Sequence, residues 1–301
     1  MRFPLIKATT EMSGGSKGFT LMELIVVITI LGVVSLTVFS FIGLGTRIYV
    51  DATERDQLLS EARFVVERLN RELRNAVPGS IRTRQANTNS SHCIEFVPIK
   101  WSGFYTDIPV APEAPVSTFQ AVELAATMDS YVFSSGDRAI VYPLTSRDVY
   151  NSTDVPREQY PISSVSGPDA DGLMSIQLNG AVQFANDSPA SRFYIGGQPV
   201  AYCFWREGGV SDTWLYRYQG YGYISSPTNS ASVIALIRAG QSSLMAKGVH
   251  PYSTLAANDE LPFKVQAATL TRNALVQIRL RFELNEEIVT YHYEVQVPNV
   301  P

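Results

Sequence analysis

From Leu24 to about Gly45 the chain is apolar and carries no charge, and Glu23 is the only charged residue between Lys17 and Arg47. A helix over this run, rising about 1.5 Å per residue, covers the ~30 Å hydrocarbon core of a bilayer. Its β-branched content (Ile25, Val26, Val27, Ile28, Thr29, Ile30) would suit a strand in water. In lipid a lone segment must satisfy its own backbone hydrogen bonds and becomes a helix. The pattern then changes period. Over 51–77, Leu58, Ala62, Val65, Leu69, Leu73 and Ala76 recur every three or four residues, with charges such as Glu61 and Arg68 on the opposite face. That spacing predicts an amphipathic helix, supported by an i,i+4 pair Glu67–Arg71 and ended by Pro78-Gly79. Only Gly43 and Gly45 lie between the two patterns as weak points. The expectation is one helix from about Phe19 to Val77, spanning a membrane over 24–45 and packing on a head with its second half.

Beyond Gly79 the period becomes two. Asn87-Thr88-Asn89-Ser90-Ser91 reads as a polar loop, and strands are expected at 93–97, 139–142, 175–178 and 191–194. Strands at 201–206 and 213–218 flank Glu207-Gly208-Gly209, a hairpin signal. The proline-rich stretch 106–118 and the polar stretch 143–171 read as surface loops. The last signal is the strongest. Val276, Ile278, Leu280, Phe282 and Leu284 alternate with polar residues, Asn285-Glu286-Glu287 turns the chain, and Val289, Tyr291, Tyr293, Val295 and Val297 alternate again. This predicts an antiparallel hairpin with one buried face. The fold class expected is α+β: a long N-terminal helix, membrane-spanning in one half and amphipathic in the other, packed on an antiparallel β-sheet head over 78–301.

Composition narrows the function. Apolar residues make up 45% and charged residues 17% of the chain, so a sizeable core can be buried. The net charge of -4 offers no basic excess for phosphates, which argues against nucleic acid as a partner. Arg2, Lys7 and Lys17 precede the span against Glu11, while Asp51, Glu54 and Asp56 follow Arg47. The positive-inside rule places residues 1–17 in the cytoplasm and the head outside it. An ordinary secretory signal has a shorter apolar core followed by its cleavage site. Here the polar leader ends before the apolar run begins. A plain membrane anchor explains the run and the charge bias but not Glu23, because an acid at the edge of hydrocarbon is costly and marks function.

Gly18-Phe19-Thr20-Leu21-Met22-Glu23 followed by such a span resembles the class III signal of type IV pilins and type II secretion pseudopilins. The resemblance implies a leader over 1–18, cleavage between Gly18 and Phe19 by a prepilin peptidase, N-methylation of Phe19, and an assembly role for Glu23. The chemistry is coherent. Glycine before the scissile bond lets the backbone approach a protease. A carboxylate at this depth needs a cation, and the new amine of Phe19 on a neighbouring subunit supplies one. The helix-bending proline common in major pilins is absent, with Ser40 in its place.

The stretches 71–78 and 93–99 and the terminal hairpin look like the MshO-like subunits of mannose-sensitive haemagglutinin pili, within the PilW and pseudopilin-J type of large minor pilins. That resemblance implies a tip or priming complex, with other major and minor pilins, the prepilin peptidase/methylase and the inner-membrane assembly platform as partners. It also implies a pilin-like head in the periplasm before assembly into the fibre. A type II secretion pseudopilin is the alternative, and a membrane-anchored periplasmic ligand-binding protein a third reading.

Catalytic chemistry finds no support in the motifs. The chain has no phosphate loop, His-Glu-x-x-His or Gly-x-Ser-x-Gly, and Gly14-Gly15-Ser16-Lys17 follows no strand. No enzyme activity, cofactor or metal is expected. His92-Cys93 is half a zinc site without its second pair, and Asp169-Ala170-Asp171-Gly172 is a calcium-loop fragment that reads better as a turn. Cys93 and Cys203 are either bridged in an oxidising compartment or two buried thiols. The aromatics Phe204, Trp205, Trp214, Tyr216, Tyr218 and Tyr221 serve a core, or else an adhesive face.

Overall fold

The structure, a computed structural model, describes residues 18–85, 92–122, 131–206, 213–225, 231–249, 261–269, 272–284 and 287–298. The leader 1–17, the loop 87–91 and the turns expected at 207–209 and 285–286 lie outside the described residues. The chain divides into two units, Met1–Arg55 and Asp56–Pro301, and helix α1 (Leu21–Arg74) begins in the first and ends in the second.

In the second unit α1 buries Ala62, Val65, Val66, Leu69 and Leu73, a stripe at helical spacing. The helix stops at Arg74 rather than Val77, for a tertiary reason. The Val77 N–H donates to Val97 O at 2.8 Å, and the Ile99 N–H donates to Asn75 O at 2.8 Å. Backbone pairing with a distant segment thus replaces the last helical turn. In place of the expected Glu67–Arg71 pair, Glu72 pairs with both Arg68 (3.0 Å) and Arg217 (3.0 Å).

After α1 come β1 (Arg82–Gln85) and β2 (His92–Phe96). The chain then leaves the sheet for six strands: β3 (Ile99–Asp107), β4 (Val116–Val122), β5 (Arg138–Val141), β6 (Gln159–Ser166), β7 (Leu173–Val182) and β8 (Arg192–Gly196). A short helix, α2 (Ser146–Tyr150), lies between β5 and β6. These six close into a barrel in the order β3-β4-β7-β6-β5-β8. The chain returns as β9 (Val200–Arg206) beside β2 and continues through β10 (Thr213–Gln219), α3 (Ala231–Arg238) and β11 (Gln241–Val249). It ends with β12 (Phe263–Gln266), β13 (Ala274–Leu284) and β14 (Glu287–Val297). The sheet runs β1-β2-β9-β10-β11-β13-β12, with β14 paired to β13. The terminal hairpin has the expected form, Ala274 opposite Val297 through Leu284 opposite Glu287.

Each layer has its own core. Ile94, Phe96, Tyr202 and Phe204, together with Val276, Ile278, Leu280 and Phe282, meet the α1 stripe. This is the α+β packing that the two sequence periods predict. The barrel is filled by Trp101, Phe119, Ile176, Phe184 and Phe193. Phe119 meets Phe193 edge-on at 5.2 Å, and Tyr160 meets Phe184 edge-on at 5.1 Å, geometries that suit the aromatic quadrupole. Gly103 makes room for the indole, since a Cβ there would lie 2.7 Å from Trp101 Cη2.

The stretches read as loops at 106–118 and 143–171 therefore hold the end of β3, the start of β4, α2 and β6. Their strands carry Ser, Thr and Pro, which mute the alternation. They are strands because the barrel gives their backbones partners.

On the sheet face away from α1, Glu95 is fully buried and accepts from two guanidiniums: Arg82 Nε at 2.6 Å and Arg84 Nε at 3.1 Å. Tyr221 donates its hydroxyl to the other Glu95 oxygen at 3.1 Å. Arg82 also donates to Ile224 O at 2.7 Å and stacks over the Tyr150 ring at 3.3 Å. Burial first, and then Arg82, lower the pKa of Arg84.

Candidate functional site

The N-terminal motif sits where α1 begins. Thr20 caps the helix: its Oγ1 accepts from the Glu23 N–H at 3.3 Å, and its carbonyl accepts from the Leu24 N–H at 3.1 Å. Thr20 and Glu23 have the Ser/Thr-x-x-Glu spacing of a capping box just before an apolar run. That spacing was available in the sequence and defines the helix start at Leu21 rather than Phe19. The acid in the first turn also lies at the positive end of the helix dipole. Gly18 has open space around it, with nothing within 4 Å of a built Cβ. Phe19 is 79% exposed, and Glu23 is exposed as well. Gly18 and Phe19 just before α1, and Glu23 in its first turn, are all accessible.

Over 24–45 the helix that follows has an apolar surface on every side. A window of mean hydropathy 2.7 is 0% buried. A helix apolar all round belongs in lipid or among other helices. Its hydroxyls do not disturb this, because several return to the helix's own carbonyls: Thr29 to Val26 O (2.9 Å), Ser35 to Leu31 O (2.7 Å), Thr37 to Val34 O (2.8 Å) and Thr46 to Ile42 O (2.9 Å). Back-bonding of this kind lets polar side chains sit in hydrocarbon. Among the described residues this is the one helix long and apolar enough to cross a membrane.

The second unit holds the other candidates. Cys93 and Cys203 are direct cross-strand partners on β2 and β9, with Cα atoms 4.1 Å apart and their sulfurs joined. The bond uses the thiol that a zinc site at His92-Cys93 would need. His92 itself is buried, stacked on Phe263 at 5.8 Å. Asp169 is a turn residue: its carboxylate accepts from the Asp171 and Leu173 N–H groups, each at 2.9 Å, and Gly172 takes φ +75°. Among the described residues no group of three or more His, Cys, Asp and Glu could hold a metal ion. The aromatic stretch divides. Tyr202, Phe204 and Tyr218 are core, while Trp205, Trp214, Tyr216 and Tyr221 are half-buried. Arg238 lies over Trp205 at 3.4 Å and Lys247 over Trp214 at 5.5 Å.

His92 carries a pH prediction. Burial pushes its pKa down from 6.5 to about 4. The folded chain keeps the imidazole neutral, whereas the unfolded chain takes up a proton below about pH 6.5. The contribution is full above that pH and is lost as pH falls towards 4, about 3 kcal/mol in all. Urea midpoints at pH 7 and pH 4.5 should differ less in His92→Phe than in the native chain. An equal difference in both would remove His92 as a cause.

Residues 14–39 match the family described as the prokaryotic N-terminal methylation motif. No curated protein and no solved structure is significantly similar to the chain. The match covers Gly18, Phe19 and Glu23 and implies processing by a prepilin peptidase/methylase. The chain thus joins that motif, at the head of an apolar helix, to an antiparallel β-rich unit, an architecture consistent with a pilin-like fold.

Proposed function

We propose that this protein is a minor pilin that helps to prime or cap a type IV pilus of the mannose-sensitive haemagglutinin type. A prepilin peptidase cuts between Gly18 and Phe19, and Phe19 is N-methylated. Glu23 then pairs with the Phe19 amine of a neighbouring subunit as the helices stack. The observation that carries this reading is the methylation motif ahead of an apolar surface whose one carboxylate is Glu23. Inside a helical bundle either charge left alone is strongly unfavourable, so the pair sets the axial register.

Before assembly the protein is a single-pass inner-membrane protein with its N-terminus in the cytoplasm and its head in the periplasm. The bonded Cys93–Cys203 pair supports the oxidising side for the head. The size of the unit after Asp56 supports a large minor pilin of the MshO type.

The test is mass spectrometry of the mature chain together with two variants. The mature chain should begin at methylated Phe19. Glu23→Ala should be cleaved normally yet be lost from sheared fibres by tenfold or more, and Gly18→Glu should stay uncleaved in the membrane. Normal incorporation of Glu23→Ala would count decisively against the assembly role. Loss of secretion with intact pili on deletion would point to a secretion pseudopilin instead.

A further inference from the structure

The chain has a single Asn-Gly pair, Asn179-Gly180. It lies in β7 where the barrel ladder is interrupted. Thr118 of β4 stands opposite Gln177, and Val116 opposite Val182, so residues 178–181 meet only Ser117 across that edge. On the other edge, pairing with β6 ends at Ile162 opposite Leu178. Asn179, Gly180 and Ala181 are left as a bulge with no paired residue on either neighbour. All three are exposed. Gly180 takes φ +101°, and nothing lies within 4 Å of a Cβ built on it. Its amide nitrogen is therefore uncrowded, and the backbone on either side turns freely.

Several other asparagine side chains are held. The Asn70 amide donates to the Tyr293 hydroxyl, and that of Asn75 to Ile99 O, each at 3.0 Å. Asn186 donates to Glu158 at 3.1 Å, and Asn151 Oδ1 accepts from the Thr153 N–H at 3.0 Å. Among the described residues the Asn179 side chain has no such bond. It can turn back onto the nitrogen that follows it without breaking an interaction, and only a local opening of the bulge is needed.

We propose that Asn179 is a site of spontaneous deamidation built into the barrel exterior. The Gly180 nitrogen gives up its proton to hydroxide and attacks Asn179 Cγ. The new N–Cγ bond closes a five-membered succinimide, the Cγ–Nδ2 bond breaks, and Nδ2 leaves as ammonia. Water then opens the ring. Attack at Cγ restores the normal backbone as aspartate, and attack at the main-chain carbonyl gives isoaspartate, with the chain running through the former side chain. The sum is one water consumed and one ammonia released, with no change of oxidation state. The barrel exterior gains one negative charge at β7 with age.

The test is incubation of the detergent-purified full chain at pH 8 and at pH 6, followed by tryptic mapping with fragment-ion sequencing. The fragment 158–192 holds both Asn179 and Asn186, so Asn186 is an internal control. Asn179 should gain about 1 Da, as aspartate and isoaspartate together. It should convert at least tenfold faster than Asn186, and faster at pH 8 than at pH 6. Isoaspartate is diagnostic, because direct hydrolysis of the side-chain amide yields aspartate alone. Asn179→Gln, which would need a larger ring, should abolish the change without moving the unfolding midpoint. Three results would overturn the proposal: aspartate without isoaspartate, equal conversion of Asn186, or an intact Asn179 in the folded chain under conditions that convert it in urea.

Discussion

Serine at Cys93 and Cys203 together is expected to lower the unfolding free energy by about 4–5 kcal/mol, the value the chain-entropy treatment gives for a loop of this length. The two cysteines are 110 residues apart in sequence. They face each other on β2 and β9, the strands by which the chain leaves the sheet and returns to it. The whole barrel, β3 through β8, is therefore enclosed in the covalent loop. Without the bond, the unfolded chain recovers the freedom of that loop, while the native β2–β9 ladder keeps its hydrogen bonds. Urea unfolding of the native and double-serine proteins, each with and without reductant, measures the effect. Reductant should destabilise only the native form. A difference below about 1 kcal/mol would mean that the unfolded chain is already compact in this region.

The second large effect is expected at Glu95. Glu95→Gln keeps the shape but removes the charge facing Arg82 and Arg84, and the loss should be about 3–5 kcal/mol, the usual result of orphaning a buried ion. Glu95 is fully buried and both Nε atoms lie within 3.1 Å of it, so water cannot take its place without opening the face beneath Tyr150 and Ile224. The two guanidiniums would then repel each other at short range. Replacing the group as a whole should be milder: Arg82→Met and Arg84→Met combined with Glu95→Leu leave no uncompensated charge. Thermal unfolding of the single and triple variants separates the cases. If Glu95→Gln cost less than about 1 kcal/mol, the network would be hydrated rather than dry. If the triple variant were no better than the single, packing rather than charge would set the cost.

The parts whose signals are local were legible in the amino-acid sequence. The charge-free run after Glu23, the Gly18-Phe19 motif, the Leu58-to-Leu73 stripe and the β13–β14 alternation can each be read from a short window, because lipid, a protease and one buried face act on short windows. Thr20 belongs to this class too, as its spacing to Glu23 shows. The remaining features depend on partners far away in the chain. Helix α1 ends at Arg74 because Val97 and Ile99 take up the backbone of Val77 and Asn75. The barrel strands β3, β4 and β6 exist because pairing rewards backbones whose side chains alternate weakly. Cys93 meets Cys203, and Arg82 and Arg84 meet Glu95, through register that no single strand encodes. A strand's hydrogen bonds are made to another strand, so its identity is completed only when the partner is known.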